Sequence, residues 1–134
     1  MLNFINKNKY FLGRLAFFIV YFWFGYLKVI GVSPAEGVVK GLFDALHMGS
    51  IINFDNFFYS LGVFEMIIGF GFLIGKFKKT ILTLFLIHMF TTFGPMVFVP
   101  EDTWQSFGVL TLEGQYIVKN LVFIVAGVYL LGRK

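Results

Sequence analysis

Four apolar runs divide the chain. They cover Leu15 to Val32, Phe57 to Gly75, Thr80 to Val99, and Gln115 to Gly132. Each is close to the ~20 residues that a helix needs to cross a bilayer. A soluble core helix of this length would show a polar stripe; these runs show single interruptions instead. They are Lys28 in the first run, Glu65 in the second, His88 and Pro95 in the third, and Lys119 with Asn120 in the fourth. The pattern predicts an all-α fold: one integral membrane domain spanning residues 1–134, a bundle of four helices.

The segment between the first two runs has a different period. Ser33-Pro34-Ala35-Glu36 reads as a capping box, with Ser at the N-cap, Pro at N1 and Glu at N3. Val38, Val39, Leu42, Phe43 and Leu46 then share one helical face, and Glu36, Lys40, Asp44 and His47 the other. A short amphipathic helix over 34–47, lying in the membrane interface, is expected. It serves as a packed lid or as a gate over a site. The loop from Pro100 to Gly114 is acidic, and its Trp104 suits an anchor at headgroup level.

Composition agrees with the runs. Of the 134 residues 58% are hydrophobic and 13% charged, with 20 Phe and 15 Gly; the mean hydropathy is +0.83. Soluble domains carry about a quarter charged residues, so this chain lacks the charge to clothe a soluble globule. A soluble enzyme, a disordered tail and a nucleic-acid-binding domain are excluded as readings. The absence of Cys removes disulfides, thiol relays and thiolate-held clusters. Lys7 and Lys9 before an apolar run resemble a signal peptide, but the run is too long and no small-x-small site follows, so a retained span is expected.

The net charge of +4 has its meaning in placement. Lys7, Lys9, Arg14, Lys76, Lys78, Lys79, Arg133 and Lys134 fall on one side of the predicted spans. Glu36, Asp44, Asp55, Glu101, Asp102 and Glu113 fall on the other. The positive-inside rule places both termini in the cytoplasm. The basic clusters set topology on this reading, with a lipid headgroup site as the alternative.

Four ionisable residues remain inside the spans, and each needs a partner or a wet cavity, because a charge in the bilayer costs at least ~2.5 kcal/mol on insertion scales. Helical spacing groups Tyr21, Gly25 and Gly31 with Lys28, Gly62 and Gly69 with Glu65, Thr91, Thr92 and Pro95 with His88, and Gln115 and Tyr116 with Lys119. All four ionisable groups can share the outer half of one bundle. Glu65 and His88 suit a catalytic, proton-handling pair. Lys28 and Lys119, with Tyr21, Tyr116, Thr91 and Thr92, suit binding of an anion or of a quinone carbonyl. The alternative is charge pairing that fixes helix register, Glu65 with one lysine while the other snorkels outward. A bis-His haem would require His47 to fold down beside His88, and no spacing supports a metal site. The glycines of Gly69-Phe70-Gly71 lie inside a span, with no strand before them, and so do not read as a nucleotide loop.

These pieces together resemble the DoxX-like superfamily of four-span membrane proteins. The resemblance is carried by Arg14 through Gly25-Tyr26-Leu27-Lys28 in the first span. In the second it is carried by Gly62-Val63-Phe64-Glu65-Met66-Ile67-Ile68-Gly69, then Leu73-Ile74-Gly75 and a basic turn. In the fourth it is carried by Glu113 to Asn120. It covers nearly the whole chain with short motifs. It implies a four-helix bundle in a bacterial cytoplasmic (inner) membrane and a small subunit of a membrane redox system, with Lys28, Glu65 and Lys119 as motif residues. His88 lies outside that pattern. A non-catalytic docking subunit with membrane or periplasmic partners, and a small-solute permease working as a homo-oligomer, are the competing readings. The lipid bilayer is a partner on every one of them; nucleic acid is a partner on none.

Overall fold

In the computed structural model, residues 2–132 are described; Arg133 and Lys134, counted above with the basic side, lie outside them. The chain forms α1 (Leu2–Val29), α2 (Glu36–Ala45), a 3-10 turn (Met48–Ser50), α3 (Phe54–Ile74), α4 (Lys78–Thr91), α5 (Gly94–Phe98) and α6 (Pro100–Thr103). A two-stranded hairpin follows, β1 (Trp104–Ser106) with β2 (Val109–Leu110), and then α7 (Leu112–Leu131). Four stretches are long and apolar enough to cross a membrane: Asn6–Val29, Phe54–Ile74, Lys78–Phe98 and Leu112–Leu131.

The boundaries differ from the sequence expectation for identifiable reasons. α1 starts well before Leu15 because nothing in Leu2–Arg14 breaks a helix, and it ends at Val29, where Gly31 turns at φ +71°. α3 begins earlier, at Phe54, because the Asn53 side chain accepts from the Asp55 N–H at 2.8 Å and caps it. Thr111 does the same for α7 through the Gly114 N–H at 3.1 Å. The third run is two helices. Pro95 has no N–H to donate, and the chain bends between Thr91 and Gly94 before α5 resumes.

The expected capping box is not formed. Ser33 Oγ accepts from the Ala35 N–H at 3.3 Å, closing a turn, and α2 begins only at Glu36, with Ala35 at its N-cap and no side-chain cap. The helix is thus shorter than 34–47, and His47 stands beyond it at φ 53°. Its apolar face is used: Phe43 is buried between Phe54 and Phe57 of α3, with ring centroids at 5.3 Å in both cases. On the polar face Lys40 pairs with Asp44 at 3.2 Å. The hairpin was not expected. Its Trp104 donates to the Met96 carbonyl at 3.2 Å.

The helices alternate in direction. α1 and α3 are antiparallel and very close, because Gly25 faces Gly62. A Cβ on Gly25 would come within 2.5 Å of the Gly62 carbonyl oxygen, and one on Gly62 within 2.9 Å of Lys28 Cβ. Only glycine permits that approach. α4 packs on α3 through Ile81 and Phe85, α7 packs on α4 where Gly127 meets Phe85, and α7 returns to α1 where Leu130 meets Gly13. The core of this closed bundle is aromatic: Phe17 stacks on Phe72 at 4.3 Å, and Phe85 meets both edge-on at 5.6 and 5.3 Å.

Candidate functional site

On α1 a single stripe faces the bundle interior: Phe17, Tyr21, Gly25 and Lys28, spaced by three or four, are all buried. Glu65 faces the same interior midway along α3, and His88 does so near the end of α4. The close glycine contact brings α1 and α3 near enough for their polar groups to meet directly. Lys28 Nζ donates to Glu65 Oε2 at 2.7 Å. Glu65 Oε1 lies 3.0 Å from His88 Nε2, and His88 Nδ1 lies 3.1 Å from the Tyr21 hydroxyl. None of the four residues is more than 7% exposed.

With Lys28 as ammonium and Glu65 as carboxylate, one arrangement of protons uses every bond without a net charge. Tyr21 donates to Nδ1, His88 donates through Nε2–H to Oε1, and the ammonium of Lys28 donates to Oε2. In that arrangement the glutamate and ammonium charges cancel, and the imidazole carries its proton on Nε2. Phe64 and Phe85 wall the row, their rings within 6.0 Å of His88 and 5.8 Å of Tyr21 respectively. Apolar walls strengthen each bond and raise the penalty for breaking one.

The row is not sealed at its upper end. An open groove of about 470 Å³ runs between the end of α1 and the start of α3, lined by Lys28, Gly31, Glu36, Asp55, Asn56 and Tyr59. Tyr21 and Lys28 are two helical turns apart, so the hydrogen-bonded row extends roughly 10 Å inward from that groove at 1.5 Å per residue.

The other residues singled out in the sequence are elsewhere. Lys119 is exposed, its Nζ 4.9 Å above the Tyr116 ring, and Tyr116 is itself exposed. The two lysines therefore do not converge. Thr91 and Thr92 return their hydroxyls to their own helix, to the His88 carbonyl at 2.7 Å and the Met89 carbonyl at 2.6 Å. Asn120, read only as an interruption, donates to Thr92 Oγ1 at 2.9 Å and ties α7 to α4. His47 is exposed, away from His88. Among the described residues no group of three or more His, Cys, Asp or Glu side chains is placed to hold a metal ion.

The fold defines an all-α protein with four helices long and apolar enough for a membrane, and with one buried polar row among them. Comparison of the chain with family models, with curated proteins and with solved structures finds no match.

Proposed function

We propose that the chain is a small membrane-embedded subunit of a redox system, and that its buried row moves protons for a quinone-type ligand bound at the groove above Lys28. The observation that carries this reading is the unbroken succession Lys28–Glu65–His88–Tyr21 inside an aromatic shell. A carboxylate bonded to an imidazole is a proton-exchanging pair, and burial keeps it from leaking to bulk water. The resemblance to DoxX-like proteins supports the same class, and the run of basic residues at the opposite end supports an outward-facing groove.

The geometry favours a neutral carbonyl over an anion. Lys119 is not available to help Lys28, and Glu36 and Asp55 on the groove walls repel negative charge. A lysine ammonium has three donors and Glu65 takes one, which leaves Lys28 able to donate to a carbonyl oxygen from the groove. The quinone supplies two-electron chemistry when bound. The protein's part is to orient the carbonyl through Lys28 and to hold the exchangeable proton at the Glu65–His88 pair.

The same row also locks α1, α3 and α4 in register, and a register role alone predicts no ligand. Titration of the protein in nanodiscs with decylubiquinone and with a menaquinone analogue separates the two. Saturable binding of either quinone is expected, weakened at least tenfold in Glu65→Gln and Lys28→Met and unchanged in Lys119→Gln. No saturable binding, or equal affinity in all variants, contradicts the proposal.

A further inference from the structure

At the opposite end of the bundle, Arg14 extends the inward stripe of α1 by one turn below Phe17. It is partly buried, and its Nε is fully enclosed with no hydrogen-bond partner. Its guanidinium lies against Gly75, where a Cβ would collide with Nη1, and Gly75 ends α3 at φ +68°. No hydrogen bond or ion pair of Arg14 forms among the described residues. A guanidinium presents five donors, and an enclosed Nε–H without an acceptor is costly.

Among the described residues, none of the side-chain carboxylates can serve. Glu36 and Asp44 are on α2, Asp55 at the start of α3, Glu101 and Asp102 on α6, and Glu113 at the start of α7, all at the other end of the bundle. Glu65 is engaged with Lys28 and His88. Around Arg14 the charge is uniformly positive: Lys76, Lys78 and Lys79 follow Gly75 directly, all exposed. Between them Phe77 takes a left-handed conformation at φ 53° and holds its ring 80% exposed, next to Ile74 at 60%. Cationic side chains beside a projecting aromatic and an aliphatic residue match the boundary between phosphates and acyl chains.

We infer that Arg14 and the Lys76–Lys79 turn bind the phosphate of an anionic phospholipid, with Phe77 and Ile74 against its acyl chains. The phosphate supplies acceptors for the guanidinium donors of Arg14 other than the enclosed Nε–H, and a guanidinium takes phosphate oxygens two at a time. This site is separate from the polar row and does not depend on the proposed function.

The test is native mass spectrometry of the protein, delipidated in neutral detergent and titrated with phosphatidylglycerol, phosphatidylcholine or inorganic phosphate. One phosphatidylglycerol is expected to bind in preference to phosphatidylcholine, with at least tenfold loss of affinity in Arg14→Gln and partial recovery in Arg14→Lys. Equal binding of the two lipids, or unchanged phosphatidylglycerol binding in Arg14→Gln, overturns the inference. Displacement of the lipid by millimolar inorganic phosphate overturns the assignment to lipid. If Arg14→Gln does not fold, the triple variant Lys76→Gln, Lys78→Gln, Lys79→Gln carries the same comparison, with the same loss expected and retained binding counting against the site.

Discussion

Glu65→Ala will destabilise the protein by about 3–5 kcal/mol, the range found when one partner of a buried ion pair is removed. Glu65 accepts from Lys28 at 2.7 Å and meets His88 at 3.0 Å, so its loss strands a buried ammonium and an imidazole N–H together. The imidazole lies below Lys28 and away from the groove, and the ammonium keeps only the groove side open, while the glycine contact between Gly25 and Gly62 holds α1 against α3. Unfolding in detergent, followed by circular dichroism, measures the effect. The double variant Lys28→Met, Glu65→Gln is expected to recover most of the loss, because it removes both charges and keeps an acceptor for His88. Wild-type stability in Glu65→Ala would show that the row carries no weight in the fold.

Phe85→Ala is the second large effect, and the membrane setting proposed above changes its arithmetic. In water the cost of such a change includes transfer of the ring from solvent. A lipid-embedded helix has little of that term, since lipid tails are as apolar as the core. The cavity remains: a hole of roughly 100 Å³ at ~24 cal/mol per Å³ costs about 2 kcal/mol. Phe85 is fully buried, wedged edge-on against Phe17 and Phe72, with Gly127 of α7 against its ring. It also walls Tyr21, so the variant should lower thermal stability and loosen the Tyr21–His88 bond. A melting curve superimposable on wild type would contradict the packing described here.

The four long helices were legible because each is a continuous apolar run of about 20 residues, the length and composition that a membrane crossing requires. The interior row was legible only in part. With so few ionisable side chains, pairings of Glu65 with His88 and with a lysine were among those the sequence offered, but the Tyr21–His88 bond was not, since Tyr21 was grouped only with Lys28. Lys119 was not legible. A lysine near a span end reaches either inward or outward with the same local sequence, and the rotation of α7 about its axis decides. Ser33 misled because the capping-box pattern is local, whereas the chain there makes a turn before α2 begins. The hairpin after Thr103 escaped because two strands of three and two residues leave no periodicity to detect. Arg14 was counted with the topology charges. That it faces the bundle follows only once α1 is known to run unbroken from Leu2.

The account rests on His88 bridging Glu65 and Tyr21, and nitrogen NMR of the imidazole tests it most directly. The chain has two histidines, so His47→Gln leaves His88 as the single reporter in ¹⁵N-histidine-labelled protein. Both ring nitrogens should report a hydrogen bond, Nδ1 to the Tyr21 hydroxyl and Nε2 to Glu65 Oε1. Tyr21→Phe should shift the Nδ1 resonance and Glu65→Gln the Nε2 resonance. Resonances indifferent to both substitutions would contradict the row.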